Sequence, residues 1–214
     1  MTSTYLSGTL PDLSQLISLK MLDLSYNYFM GKFPLSVNNL TNLELLNFNE
    51  NSGVNFWQLP DNFSKLTKLK YMILSTCKIH GQMPAFIGNM TSLVDLDLSG
   101  NFFTCKIPAQ IGLLKNLQML ELYYNQLVGE IPKELGNLTA EKCLILYVAF
   151  QSLREVPKDL GKWSPMIAID LSENQLSGEL PTDTCIGGKL LYFCALDNMF
   201  SGGLQKLLEA AYLF

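Results

Sequence analysis

Residues Leu93–Gly112 read LVDLDLSGNFFTCKIPAQIG, and Leu117–Gly136 read LQMLELYYNQLVGEIPKELG. The second stretch restates the first 24 residues later: a leucine ladder, an Asn, an Ile-Pro and a closing Gly, in the same order. A fixed period of this size marks a chain of stacked units, and it governs every other inference from the sequence. With Leu16 as position 1, the frame L-x-x-L-x-x-L-x-L-x-x-N-x-L-x-G-x-I-P-x-x-L/I-G-x fits Leu16–Asn39, Leu66–Asn89, Met90–Leu113, Leu114–Asn137 and Trp163–Ile186. Leu40–Lys65 carries two extra residues around SGVNFWQLP.

The unit boundaries follow from the frame. Residues 1–15 hold a partial leading repeat, 16–137 five repeats, 138–162 a degenerate one, and 163–204 two more, the last incomplete. The degenerate segment has Glu141 where a Leu belongs and Ala149 where the Asn belongs, and it resembles a scar joining two distant repeats. In residues 205–214, Leu207, Leu208 and Ala211 continue a helical spacing from Leu204, so a short helix covering the last repeat is one expectation and a frayed end the other.

Leucine at positions 4, 7 and 9 with polar residues between predicts a short strand with alternate faces. One unit cannot bury those leucines alone; stacked units pair strand on strand and close a continuous core, giving a quasi-one-dimensional α/β repeat solenoid with a parallel sheet on its concave face. Position 12 is Asn27, Asn51, Asn101, Asn125, Asn174 and Asn198 in six copies and Cys77 in another. A short amide there can satisfy backbone groups left open by the turn out of the strand, so this column is structural. Gly at position 16 and Pro at position 19 punctuate the return path, and Cys105 stands where that Gly is expected, with strain of roughly 1 kcal/mol if the position needs positive φ.

The pattern LxGxIPxxLGNLTxLxxLxLxxNxLxG resembles the plant-specific class of leucine-rich repeats, carried by plant receptor kinases, receptor-like proteins and polygalacturonase-inhibiting proteins; the G-x-I-P element is specific to that class. Two stretches, LPDNFSKLTKLKYMILSTCKIHGQMPAFIGNMTSLVDLDLSGN and VPKDLGKWSPMIAIDLSENQLSGELP, are similar to the HAESA-like branch of receptor kinases and its receptors for C-terminally encoded peptides. The resemblance implies the ligand-binding segment of an extracellular horseshoe whose parent continues through a membrane helix into a kinase, with a peptide or protein ligand and a leucine-rich repeat co-receptor kinase as partners. The Arg-x-Arg pair that the branch uses to capture a peptide carboxylate has no counterpart, because Arg154 is the single arginine. The cysteine-bearing caps of the class are also not visible, which predicts open ends.

Composition agrees with a folded binding module. The chain has 214 residues, 48% hydrophobic, with net charge −4, which excludes a disordered segment and a polybasic nucleic-acid binder. No run approaches the roughly 18 apolar residues of a membrane span, and MTSTYLSGTLPDL lacks the basic and apolar regions of an export signal, so neither anchor nor membrane contact is expected within these residues. Sequons occur at Asn39, Asn62, Asn89 and Asn137. Three of them, Asn39, Asn89 and Asn137, fall at position 24 of their copies and predict glycans along one ridge of a secreted parent, against the alternative that NLT and NMT are consensus turn residues.

Function is expected on the concave row, positions 5, 6, 8, 10 and 11. Nine acids occupy it (Asp23, Glu44, Glu50, Asp95, Asp97, Glu121, Asp170, Glu173 and Asp197) against Lys20, Lys70 and Lys142. Tyr26, Tyr71, Tyr123, Tyr124 and Tyr192 share the row and offer large contact surfaces with little rotamer freedom to lose. The candidate ligand-binding residues are Asp23, Tyr26, Tyr71, Asp95, Asp97, Glu121, Tyr123, Tyr124 and Asp170. Strand faces also need polar residues for solubility, so the same row admits a purely structural account.

Catalysis is not expected. There is no phosphate loop, no nucleophile elbow and no kinase catalytic loop, and no cofactor is called for. Five cysteines, at 77, 105, 143, 185 and 194, occupy unlike positions and predict free buried thiols, while His80, expected on a turn, has no metal-ligand partner at a useful interval. Three readings stay open: a peptide receptor segment, a secreted inhibitor of a cell-wall-degrading enzyme, and a truncated product that binds nothing.

Overall fold

A computed structural model describes residues 5–147, 150–152, 155–181 and 189–203, with backbone alone for 150–152. Ala149, Arg154, Cys185 and the helical spacing expected in 205–214 lie outside the described residues. Eight strands form one parallel sheet in strict chain order: Met21–Asp23, Leu45–Asn47, Tyr71–Ile73, Asp95–Asp97, Met119–Glu121, Cys143–Ile145, Ala168–Asp170 and Tyr192–Cys194. Every strand occupies positions 6–8 of its copy, and like positions pair with like: Tyr71 with Asp95, Ile73 with Asp97, Asp97 with Glu121. The repeat frame therefore fixes the side-chain ladder on both faces of the sheet.

The inward face is hydrocarbon. Leu114, Leu117, Leu120 and Leu122 of one copy are all 0% exposed, as are Met90, Leu93, Leu96 and Leu98 of the copy before it. Each such side chain contributes about 2 kcal/mol of transfer free energy once water is excluded, and each needs the neighbouring coil to exclude it.

The helical component of the unit consists of five-residue 3-10 turns: Leu35–Asn39, Asp61–Lys65, Ala85–Asn89, Ala109–Leu113 and Lys133–Asn137. Each follows a proline, Pro34, Pro60, Pro84, Pro108 or Pro132, whose φ between −79° and −60° lies where its ring fixes it. Coils touch closely here: a Cβ on Gly88 would fall 2.3 Å from the Gln110 carbonyl oxygen, and one on Gly112 would fall 2.3 Å from that of Glu134. Outside the turns, short parallel ribbons join neighbouring coils, among them Ser7–Thr9 with Tyr28–Met30 and His80–Gln82 with Phe102–Thr104. His80 thus opens a strand instead of sitting on a turn; its half-buried ring meets Phe56 edge-on at 6.0 Å.

The position-12 column is a bridge between coils. The Asn101 Nδ2 group donates to the carbonyls of Leu74, Leu98 and Ser99 at 2.8–3.0 Å, while its Oδ1 accepts from the amides of Cys77 and Ile79 at 3.1 and 3.0 Å. Cys77 replaces the amide with a thiol directed at the Phe48 and Ser75 carbonyls, each 3.1 Å away, and burial pushes its pKa above the usual thiol range. Among the described residues the thiols of Cys77, Cys105, Cys143 and Cys194 are free, but only Cys77 is buried; the other three are partly exposed because they lie off the inward columns. Cys105 has φ +66°, so the strain expected of it is present.

Two irregular segments are absorbed into the stack. In the 26-residue copy the inserted stretch turns Trp57 inward, where it stacks on Phe33 with centroids 3.9 Å apart and donates its indole N–H to the Cys77 carbonyl at 2.8 Å. The degenerate segment keeps more than the trace expected of it: Cys143–Ile145 pairs with both neighbouring strands. It also keeps the inward column, so Glu141 occupies a leucine position at 0% exposure, with both carboxyl oxygens buried and without partners among the described residues. Desolvation pushes its pKa up to about 8.

Candidate functional site on the concave sheet

The outward positions of the eight strands form a continuous face. Tyr71, Asp95, Met119 and Cys143 are successive position-6 residues across four strands, and Ile73, Asp97, Glu121 and Ile145 are the position-8 residues beside them. Asp95, Asp97 and Glu121 therefore form a triangle of carboxylates, two on one strand and the third directly across. Their environment is dry for a surface: Asp97 is only 8% exposed and Asp95 Oδ1 is buried without a hydrogen bond among the described residues. Burial first, then the Asp97 charge, raises Asp95 to about 6; burial, then Asp97 and Asp95, raises Glu121 to about 7. Among the described residues no lysine, arginine or histidine forms an ion pair with any of the three.

The cations of the row are occupied at its edge. Glu44 sits between Lys20 and Lys70 at 3.6 and 2.7 Å, and Lys142 donates to the Gln118 side chain at 2.9 Å. Solvent-exposed pairs of this kind add little stability, about 0–1 kcal/mol, but they remove the lysines as neutralisers of the triangle.

Position-8 aspartates also have a local duty. Asp23 Oδ1 accepts from the Ser25 amide and hydroxyl at 3.0 and 2.7 Å; Asp97 Oδ1 does the same with Ser99 at 2.9 and 2.6 Å; and Asp170 accepts from both groups of Ser172. This local bond closes the turn after the strand. Three of the nine expected ligand-binding residues thus have one oxygen committed to the scaffold, and Asp97 is nearly enclosed instead of displayed.

The aromatic part converges on one place. Tyr123 and Tyr124 meet Tyr147, with ring centroids 5.7, 5.9 and 4.8 Å apart, and the Tyr147 hydroxyl donates to that of Tyr124. Tyr147 is the residue that sequence reasoning missed. It stands at position 10 of the degenerate copy, and counting the frame through that copy would have found it. Tyr71, 40% exposed, borders the triangle through its pairing with Asp95, and Tyr124 is 52% exposed, whereas Tyr26 is near the start of the sheet and Asp170 lies toward its end, where Tyr192 donates to it at 3.3 Å. The structure therefore divides the expected row into a central group, Tyr71, Asp95, Asp97, Glu121, Tyr123 and Tyr124, and outliers Asp23, Tyr26 and Asp170. All four sequon asparagines are exposed, and Asn39, Asn89 and Asn137 each end a 3-10 turn.

The profile of the Leucine Rich Repeat family matches residues 18–40, 92–114 and 116–138. Residues of this chain are 59% identical over 83 positions, 39% of the chain, to the receptor protein-tyrosine kinase CEPR1 of Arabidopsis thaliana, of which they cover 9%. The fold superimposes with a TM-score of 0.85 on the ectodomain of the Arabidopsis thaliana receptor kinase GASSHO1/SCHENGEN3, solved in complex with CASPARIAN STRIP INTEGRITY FACTOR 2, at 32% identity over 91% of this chain and 23% of that one. A second solved structure, the Arabidopsis receptor kinase HAESA with the peptide hormone IDA and the co-receptor SERK1, matches with a TM-score of 0.66 at 30% identity, over 95% of this chain and 42% of that one. The chain spans less than a tenth of the length of the kinase CEPR1. It is a leucine-rich repeat solenoid, similar in fold to the receptor-kinase ectodomain GASSHO1/SCHENGEN3.

Proposed function

We propose that this solenoid is a ligand-binding segment of the extracellular domain of a plant receptor-like kinase, and that it takes an extended, basic peptide along its concave sheet. The observation that carries this proposal is the adjacency of an unneutralised carboxylate triangle, Asp95, Asp97 and Glu121, to the aromatic cluster Tyr123, Tyr124 and Tyr147. A peptide laid across several strands would meet carboxylates that can pair with Lys, Arg or an amino terminus. It would also meet tyrosine faces that bind apolar side chains at low entropic expense. The neighbours GASSHO1/SCHENGEN3 and HAESA were solved in complex with CASPARIAN STRIP INTEGRITY FACTOR 2 and with a peptide hormone and co-receptor, and they supply the analogy for ligand and co-receptor. An extracellular location at the plasma membrane, and glycans on the exposed Asn39, Asn89 and Asn137 ridge, complete the proposal.

The test is calorimetry against a panel of extended peptides graded in charge. The double variant Tyr123→Ala with Tyr124→Ala should weaken the best binder about 10- to 100-fold, as expected for loss of two aromatic contacts. A folded double variant with unchanged affinity would remove this face from the account.

A further inference from the structure

Away from the central triangle, a cavity of about 500 Å³ opens beside the first coils, lined by Tyr5, Tyr26, Tyr28, Met30 and Glu50, with Asn27, Ser52 and Gly53 completing the wall. Its origin is in the sequence. Ser52 and Gly53 belong to the stretch that makes one copy 26 residues long, and Gly53 lets that stretch lie against the Tyr28–Met30 strand, since a Cβ there would fall 2.4 Å from the Phe29 carbonyl oxygen. Tyr5 and Tyr28 form one side, ring centroids 5.0 Å apart and inclined by 54°. Tyr26 and Glu50 stand on left-handed backbone, at φ +53° and +58°, and both are exposed residues of the lining.

The lining selects one kind of guest. The three tyrosine rings and the Met30 side chain are each more than half exposed, so their faces are open to a ligand. Tyrosine faces carry negative quadrupole potential, and a thioether is soft and polarisable. Glu50 adds a full negative charge whose one hydrogen bond among the described residues comes from the Thr76 hydroxyl at 3.0 Å, and no lysine, arginine or histidine among those residues pairs with it. Asn27 offers no competing preference, because its amide is committed to the Leu6 amide and the Leu24 and Ser25 carbonyls. An anion would be repelled by Glu50, and a purely apolar group would leave that carboxylate uncompensated.

We propose that Tyr5, Tyr26, Tyr28, Met30 and Glu50 form an aromatic cage for a cationic side chain, lysine or arginine, of a bound peptide. The peptide as occupant rests on the function proposed above; the cage as a cation site does not.

The cage can be tested with small probes on the whole chain. Choline chloride and Nα-acetyl-arginine methylamide are titrated while the Met30 methyl and tyrosine ring resonances are followed by NMR, with potassium chloride as the ionic-strength control and 3,3-dimethylbutanol as the neutral isostere of choline. Saturable shifts at about millimolar concentration are expected for both cations, with the neutral compound about tenfold weaker. Glu50→Gln, which leaves the backbone and the exposed rings in place, and Tyr26→Ala should each weaken the cations about 5- to 10-fold. Equal binding of the neutral isostere, shifts that follow ionic strength alone, or a Glu50→Gln variant with unchanged affinity would each overturn the cage. If the cations bind but no basic peptide does in calorimetry, the peptide proposal fails and the cage stands.

Discussion

Glu141 offers the sharpest quantitative prediction. It occupies the inward position that Leu43, Leu69, Leu93 and Leu117 hold in other copies, all at 0% exposure, and its carboxyl group has no partner among the described residues. Burial raises its pKa from an ordinary 4.5 to about 8, so the folded state holds a proton that the unfolded state has released at neutral pH. Each tenfold difference in proton affinity is worth about 1.4 kcal/mol, which makes protonation on folding at pH 7 cost about 3 kcal/mol. A leucine would remove that cost, the desolvation of an unpaired carboxyl worth about 1–3 kcal/mol, and would add hydrocarbon burial. Glu141→Leu should therefore stabilise the stack by at least about 4 kcal/mol at pH 7.

The sign of the pH dependence follows. A folded pKa above the unfolded one means that stability is fully present below about pH 4.5 and declines as pH rises toward about 8, where it levels off. Urea unfolding followed by tryptophan fluorescence at several pH values between those limits should show the gap between Glu141→Leu and the parent widening with pH. Glu141→Gln, which cannot titrate but keeps a buried polar group, should remove the Glu141 share of the slope, leaving that of Asp95 and Glu121, while recovering only part of the stability. A gap independent of pH, or no gain from leucine at all, would refute the assignment of Glu141 as a buried neutral acid.

Other outcomes follow from the same geometry. Asn101→Ala strands two amides and three carbonyls between coils and should cost about 3–5 kcal/mol in the same unfolding experiment, at about 1 kcal/mol per lost bond. Cys105→Gly relieves a left-handed backbone and should raise stability by about 1 kcal/mol, visible as a higher denaturation midpoint. Gly112→Ala drives a methyl toward a neighbouring carbonyl oxygen only 2.3 Å away and should cost at least about 2 kcal/mol or shift the two coils apart, detectable by faster amide exchange around Glu134. A basic peptide on the concave face should bind more tightly as pH rises from about 5 to 8, because Asp95 and Glu121, raised to about 6 and about 7, lose protons over that range; pH-independent affinity in calorimetry would dissociate the triangle from binding.

The architecture was legible because its signal is redundant. The eight sheet strands occupy positions 6–8 of the copies that the leucine frame delimits, and the Asn column makes the backbone bridges its chemistry suggests. Depth was not legible. Position in the frame says that Asp97 and Glu121 face the concave side, but Ile73, paired with Asp97, and Ile145, paired with Glu121, help decide how dry that side is, and those belong to other copies. Nor does the frame reveal that Asp23, Asp97 and Asp170 each turn an oxygen back to a serine two residues on, since the same Asp could serve a ligand or its own turn. Tyr147 was overlooked because Glu141 and Ala149 break the frame around it, yet strand pairing there depends on the backbone and on Leu144 and Leu146, which stayed apolar and buried.

The left-handed residues at position 11 carry a cost for anyone redesigning this face. Tyr26, Glu50, Thr76, Tyr124, Glu173 and Asp197 all have φ between +49° and +58°, where glycine would be unstrained. At roughly 1 kcal/mol each, their combined strain rivals the entire folding margin of an ordinary domain. Replacing them with glycine or asparagine would harden the scaffold and at the same time erase the lettering of its rim. Thermostability and recognition are thus set against each other along a single column, and a library that randomises position 6 instead would diversify the face without drawing on that reserve or on the position-8 turn bonds.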